Sequence, residues 1–286
     1  MTTRRVSSAF LFVFPFIALA LVSARDLRVP GLYQTIGGVL FIAIASAAWI
    51  LGARAIVSGN AAEQRLALTG ILLILPWALI SLLWVGLGAP YQANAPENHM
   101  RYLVLLTSVV VVACAFIVLK EDLYDAGERF YSTIGFAASI PAGAAYLVCI
   151  SMSLAAAIAE LEGRDAASVG GSDDLYSALE FVACIATYVA TAAFATSLGE
   201  VRWLGRIGTR AYAITSAALV VLLMMRGVSF PELSGDTAPW YARPAFIAGI
   251  PAIPWLMPCL LGVVVLRRAG AMPRRLGGAE REPAQR

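Results

Sequence analysis

Residues 66–88 read LALTGILLILPWALISLLWVGLG, a run of 23 residues without a charged side chain. About 20 apolar residues, each rising 1.5 Å along the axis, allow a helix to cross the hydrocarbon core of a bilayer. Lipid offers no hydrogen-bond partner to free backbone groups, so such a segment is expected to be helical. The stretch therefore predicts a transmembrane helix.

Seven more stretches of this kind occur in the chain of 286 residues. Only 14% of the residues are charged, whereas soluble domains average about 25%. The sequence predicts an all-α fold: a polytopic transmembrane bundle of eight helices within residues 1–268, followed by a disordered, arginine-rich cytoplasmic tail at 269–286. We place the spans near 8–24, 32–53, 66–88, 102–119, 131–158, 175–198, 209–225 and 246–266.

The basic residues fall mainly on one side of the predicted spans. Fifteen of the 21 Lys and Arg residues lie on the side that contains Arg4 and Arg5, and six, among them Arg101, lie on the other. Cytoplasmic connections carry the excess of positive charge, so both termini are predicted to be cytoplasmic. Lys120 is the sole lysine, and this preference for arginine indicates a GC-rich bacterial genome and hence the inner membrane.

The first apolar stretch allows two interpretations. Arg4 and Arg5 precede the run from Ala9 to Val22, and the small residues around Ala24 resemble a signal-peptidase site. If the segment is retained, it is the first of eight helices. If it is a cleaved signal peptide, seven helices remain and the mature N-terminus lies outside, while the other connections keep their sides.

A carboxyl group, that of Glu180, lies within the sixth predicted span. Ionisable side chains in a membrane segment are costly and indicate a functional site by default. Glu180 belongs to a polar stripe on one helix face, with members three or four residues apart: Ser177, Glu180, Cys184, Thr187, Tyr188 and Thr191. The stripe is either a ligand or ion path with Glu180 as its proton or cation site, or polar packing between helices. Gln34, at the start of the second span, is expected to meet this stripe or to lie at the membrane interface.

Three arginines follow the sixth span at intervals of four residues, in EVRWLGRIGTR at 200–210. A helical turn would place Arg202, Arg206 and Arg210 on one face at the cytoplasmic surface. Each arginine near the surface contributes about 1 kcal/mol of attraction to anionic headgroups, and the guanidinium fork suits phosphate. The sequence thus predicts the bilayer and its anionic headgroups as partners, through either a general anchor or a phosphate-binding site.

Other site chemistries find little support in the sequence. The four cysteines lie in apolar stretches without CxxC spacing, and the single histidine, His99, lies in a predicted loop. No catalytic residue, metal site or cofactor is therefore predicted, and the basic residues are too dispersed to indicate nucleic-acid binding. We expect a membrane protein that transports or binds a small or lipid-like ligand. A non-catalytic scaffold or accessory subunit is the alternative, and a lipid-modifying enzyme is the weakest of the three.

Overall fold

The computed structural model describes residues 3–23, 31–87, 94–165, 169, 173–226 and 252–271. All regular secondary structure in these residues is helical. The helices are α1 (Thr3–Ser23), α2 (Leu32–Ala48) with a π-helical continuation (Trp49–Ala53), α3 (Ala55–Ser58), α4 (Ala61–Leu87), α5 (Ala95–Asp125), α6 (Phe130–Leu161), α7 (Asp173–Glu200), α8 (Arg206–Arg226) and α9 (Ala252–Ala271).

The predicted all-α fold is confirmed for the described residues. Six helices are long and apolar enough to cross a membrane: α2 with its continuation to Ser58, α4, α5, α6, α7 and α8. Two further helices lie at the positions of the first and last predicted spans: α1 packs against α2 and α4, and α9 packs against α4, α7 and the π-helical continuation of α2. The beginning of the last span at 246–251, the tail from 272 onward and Ala24 of the first segment lie outside the described residues.

Helix α9 runs through the interior of the bundle. Most of its side chains from Trp255 to Leu266 are buried, and it contacts α1, α4, α7 and the π-helical segment of α2. Its backbone approaches α4 closely where Gly70 faces Gly262. A Cβ atom at Gly70 would lie 2.9 Å from the backbone nitrogen of Leu266, and one at Gly262 would lie 2.8 Å from the carbonyl oxygen of Gly70. Small residues at such crossings allow the close packing typical of membrane helices.

Most of the basic residues that the structure describes lie near helix termini at one end of the bundle, which contains Arg4, Arg65, Arg206 and Arg267 and which we call the basic end. Polar contacts between helices stabilise it. Arg4 of α1 donates hydrogen bonds to the carbonyl oxygens of Leu51 at 3.1 Å and Arg267 at 3.4 Å. Arg65 of α4 forms an ion pair with Asp122 of α5. The fold therefore brings together the helix termini whose basic residues the sequence assigned to one side.

Candidate functional site

A tight turn follows α7 at the basic end. The backbone N–H of Trp203 donates to the carbonyl of Leu198 at 2.9 Å, and that of Arg202 donates to the carbonyl of Gly199 at 3.0 Å. This pattern ends many helices and places a left-handed residue, usually glycine, just after them. Here that residue is Arg202, whose φ of 58° is the single positive value among described residues other than glycine. The conformation costs a residue with a Cβ atom about 1–2 kcal/mol.

The three predicted arginines surround one cleft between α7 and α8, with a volume of about 640 Å³. The sequence predicted that they share one helical face. They do not, because the chain turns between Arg202 and the start of α8. The turn nevertheless gathers them at one site, where all three are exposed. The polar lining consists of Thr196, Glu200, Arg202, Arg206, Thr209 and Arg210.

The walls of this basic cleft are positioned by close packing between α7 and α8. A Cβ atom at Gly199 would lie 2.5 Å from Oγ1 of Thr209, so a larger residue at this crossing would displace the side chain of Thr209. Behind the turn, the ring of Trp203 packs against the core and lies 5.7 Å from the guanidinium of Arg268 in α9. Gly205, just before α8, has no side chain to accept hydrogen bonds from the first N–H groups of that helix. The positive end of the α8 dipole thus adds to the charge of the cleft.

A buried carboxylate holds α7 to the start of α6 beside the cleft. Glu128 accepts hydrogen bonds from the backbone N–H groups of Tyr131 at 2.7 Å and Ser132 at 3.0 Å, and from the hydroxyl of Ser197 in α7. Burial alone would raise the pKa of Glu128, but these hydrogen bonds outweigh burial, and the pKa lies below its ordinary value of 4.5. Ser197 directly follows Thr196 of the cleft lining. Glu128 therefore positions one wall of the cleft.

Sequence reasoning did not single out Glu128. The available signal was an acidic residue two positions before the first helical residue of α6, Phe130. Acidic residues are favourable at helix N-termini because they interact with the helix dipole and the free N–H groups. Its contact with Ser197 has no sequence signal, because the two residues are 69 positions apart.

The deeper part of the polar stripe on α7 faces the bundle interior. Its buried members are Cys184, Thr187, Tyr188 and Thr191. The hydroxyl of Thr187 donates to the carbonyl of Ala183 at 2.7 Å, and that of Thr191 donates to the carbonyl of Thr187 at 2.8 Å. The Cys184 thiol lies 3.6 Å from the hydroxyl of Tyr146 in α6. Hydroxyls that bond within their own helix need no ligand, so packing between α6 and α7 explains this part of the stripe.

Glu180 lies nearer the other end of α7. It is half-buried, and its carboxyl group lies close enough to Tyr146 and Cys149 of α6 to interact with them electrostatically. No described residue donates a hydrogen bond to its carboxyl group. Ser177, one turn earlier, is also half-buried. The structure does not bring Gln34 to the stripe, because Gln34 is exposed on α2 beside α4.

A small cavity lies between α5, α6, α7 and α9, with a volume of about 20 Å³. Its polar lining comes from Ser139, Tyr146 and Thr187, and the other lining residues are apolar. A cavity of about 10–15 Å³ or more admits one water molecule. This cavity thus has room for a single water rather than a continuous path. Glu180 lines neither this cavity nor the basic cleft.

Arg101 differs most from its sequence-based assignment. The sequence placed it in a connection, whereas the structure places it inside α5 with a fully buried side chain. Its guanidinium lies 4.9 Å from the centroid of the Trp84 ring and donates to Oδ1 of Asn98 at 2.6 Å. Helix α5 begins earlier than its apolar stretch because Asn94 and Glu97 form a capping box. The spacing of these two residues was the signal for this earlier start.

Among the described residues, no three His, Cys, Asp or Glu side chains are close enough to hold a metal ion. No protein family matches the chain, and comparison with curated proteins and with solved structures found no significant match. Of the two cavities described above, the basic cleft is the larger and has the more polar lining.

Proposed function

We propose that this protein is an integral membrane protein that binds the anionic headgroup of a lipid in the basic cleft. Eight helices then span the membrane and both termini are cytoplasmic, which puts the basic end at the inner surface of a cell membrane. Six helices of sufficient length and apolar character support the membrane placement. The excess of arginine at the basic end supports the orientation.

The observation that carries this proposal is the gathering of Arg202, Arg206 and Arg210 around one open cleft. None of the three forms an ion pair with a described residue. Like charges gathered in this way repel one another, and an anion bound between them converts the repulsion into attraction. Guanidinium groups bind phosphate and carboxylate through two parallel hydrogen bonds, and of these two groups phosphate is the one that anionic membrane lipids share.

The backbone of Arg202 supports the same conclusion. Glycine would form the turn after α7 without strain, so arginine at this position sacrifices stability. Residues held in sparsely populated conformations cluster at ligand-binding and active sites. We therefore assign the Arg202 guanidinium to ligand binding.

Lipid affinity, measured by native mass spectrometry on the purified full chain, tests this function. Arg206→Gln and Arg210→Gln are each expected to weaken phosphatidylglycerol binding about fivefold, since each removes about 1 kcal/mol of attraction. Arg54→Gln is the matched control, because Arg54 is also exposed at the basic end but does not line the cleft. We expect this control to leave the affinity unchanged. An equal loss in all three variants would indicate diffuse surface attraction and contradict a defined site.

Reporter fusions at the two termini test the orientation, and the mass of the mature chain tests retention of the first segment. We expect both reporters to be active in the cytoplasm and the mass to include residues 1–24. An N-terminal reporter active outside the cell, or a mature mass that lacks this segment, would contradict the eight-span topology.

Glu180 supports a second candidate function, the transport of a proton or cation along α7. Its carboxyl group lies in a helix long and apolar enough to span a membrane, and no described residue donates a hydrogen bond to it. In that case, reconstituted protein shows a gradient-driven flux that Glu180→Gln abolishes. A scaffold without a ligand is the third candidate. It predicts neither a flux nor any loss of lipid binding in the arginine variants.

A further inference from the structure

The positive charge of the basic cleft is too large to be balanced by a ligand with one negative charge. Arg202, Arg206 and Arg210 contribute three positive charges and Glu200 one negative charge, so the lining has a formal charge of +2. The N-terminus of α8 adds roughly half a positive charge. Arg268 of α9 lies behind the turn, where its guanidinium is 5.7 Å from the ring of Trp203. The charge around the cleft thus matches a dianion better than a monoanion.

The hydrogen-bond donors of the cleft point to the same conclusion. Each guanidinium has five N–H donors and no acceptor, and the hydroxyls of Thr196 and Thr209 also line the cleft. A phosphodiester presents two terminal oxygens to such donors, whereas a phosphomonoester or the end of a diphosphate presents three. Charge-assisted hydrogen bonds to phosphate are about twice as strong as neutral ones. A phosphomonoester therefore forms more charge-assisted hydrogen bonds in the cleft than a phosphodiester, because it has a third terminal oxygen and a second negative charge.

From this match, and on the basis of the lipid site proposed above, we infer that the cleft selects dianionic phosphate groups. Its preferred ligands are phosphomonoesters and diphosphates, and phosphodiester headgroups with one negative charge bind more weakly. The phosphate lies between the three guanidiniums at the mouth of the α8 N-terminus. Glu200 limits the negative charge that the cleft accepts, because its carboxylate repels any phosphate placed beside it.

Two lipids with the same acyl chains test the inference: phosphatidic acid, a phosphomonoester, and phosphatidylglycerol, a phosphodiester. Single-lipid binding to the full chain is measured by native mass spectrometry at pH 8 and at pH 5. At pH 8 we expect phosphatidic acid to bind about tenfold more tightly, because its second charge meets several guanidiniums. At pH 5 the preference is expected to vanish, because a phosphomonoester loses its second charge as the pH falls through about 6.

The outcomes separate this inference from the proposed function. Equal binding of the two lipids at pH 8, with both weakened in Arg206→Gln, overturns the dianion preference and leaves the lipid site intact. Binding that is unchanged in the arginine variants overturns both. Glu200→Gln provides a variant with a gain in affinity, which a folding defect does not mimic. We expect it to tighten phosphatidic acid binding about fivefold, and no change would contradict the role of Glu200.

Competition with inorganic pyrophosphate distinguishes a soluble ligand from a lipid. If micromolar pyrophosphate displaces phosphatidic acid from the wild type, and Arg206→Gln binds pyrophosphate more weakly, the phosphate group alone accounts for recognition. Displacement only at millimolar concentrations would show that the acyl chains contribute and that the ligand is a lipid. Both results agree with a dianionic phosphate. Displacement that is as effective with monoanionic chloride at equal ionic strength would contradict it.

Discussion

The middle of α7 and its C-terminal end use polar side chains differently. In the middle, the buried part of the stripe, from Cys184 to Thr191, faces inward, and its threonine hydroxyls bond to carbonyls of the same helix. At its C-terminal end, the polar groups surround an open volume of about 640 Å³, and Arg202 adopts a strained backbone conformation there. The first region is complete without a ligand, whereas the second has more positive charge than the described residues neutralise.

This difference shows how to separate structural from functional polarity in an apolar chain. Hydroxyls that close on their own backbone satisfy their hydrogen bonds and allow helices to pack. Three arginines that share a cleft repel one another, and Arg202 also adopts a backbone conformation that glycine would adopt more easily. Neither feature stabilises the fold. Such features are expected at functional sites.

Removal of all three cleft arginines, as Arg202→Gln, Arg206→Gln and Arg210→Gln in one chain, is expected to weaken phosphatidic acid binding about 100-fold. The estimate follows from about 1 kcal/mol for each arginine. Affinity is measured by native mass spectrometry at pH 8. Helical content by circular dichroism serves as the control for folding. A loss below about threefold would contradict a functional role for the basic cleft.

Glu128→Ala is expected to destabilise the protein by about 2 kcal/mol, because it leaves Ser197 and the N–H groups of Tyr131 and Ser132 without their acceptor. The measurement is thermal unfolding in detergent. Ser197→Ala is the matched variant: it removes one of these hydrogen bonds, and we expect a smaller loss of about 1 kcal/mol. Equal melting temperatures for Glu128→Ala and the wild type would show that this carboxylate does not hold α7 to α6.

The same carboxylate predicts a pH dependence of stability. The pKa of Glu128 in the folded protein lies below 4.5, so the folded state favours the ionised form. Its contribution to stability is therefore fully present above pH 4.5 and is lost as the pH falls through the lower, folded-state pKa. The difference in melting temperature between the wild type and Glu128→Gln is expected to shrink over that acidic range. A difference that grows toward acid would contradict the sign of the shift.

Glu180→Gln is expected to have the smallest effect. Because Glu180 lines neither the cleft nor the small cavity, the substitution is expected to leave phosphatidic acid affinity within about twofold of the wild type. Proteoliposomes that contain this variant provide the second measurement. A proton or cation flux present in the wild type and absent in the variant would show that the stripe, and not only the cleft, is functional.

The sequence was sufficient to predict the helices and much of the basic end. Uninterrupted apolar length determines where helices must form in lipid, and the spacing of Arg202, Arg206 and Arg210 already indicated a common site. The sequence was not sufficient to predict the geometry of these three arginines. Hydropathy does not show that the chain turns at Trp203, or that Arg202 rather than glycine takes the left-handed position.

Long-range contacts explain the remaining differences. Arg101 was assigned to a connection because it directly precedes the apolar run that begins at 102, yet the ring of Trp84 and the side chain of Asn98 accommodate it inside α5. The interior position of α9 depends on Gly70 facing Gly262, residues far apart in the chain. Gln34 was expected either to meet the Glu180 stripe or to lie at the membrane interface, and the order of helices leaves it exposed on α2 beside α4. None of these pairings follows from the periodicity of a single segment.

The most direct test of the basic cleft is Arg202→Gly, with melting temperature and phosphatidic acid affinity measured on the same preparation. Glycine relieves the left-handed conformation while the guanidinium is lost. We predict that the melting temperature rises by about 2–4 °C and that the affinity falls about fivefold. Stability and binding thus move in opposite directions, which a folding defect cannot produce. A raised melting temperature with an affinity equal to that of the wild type would contradict a role for Arg202 in ligand binding.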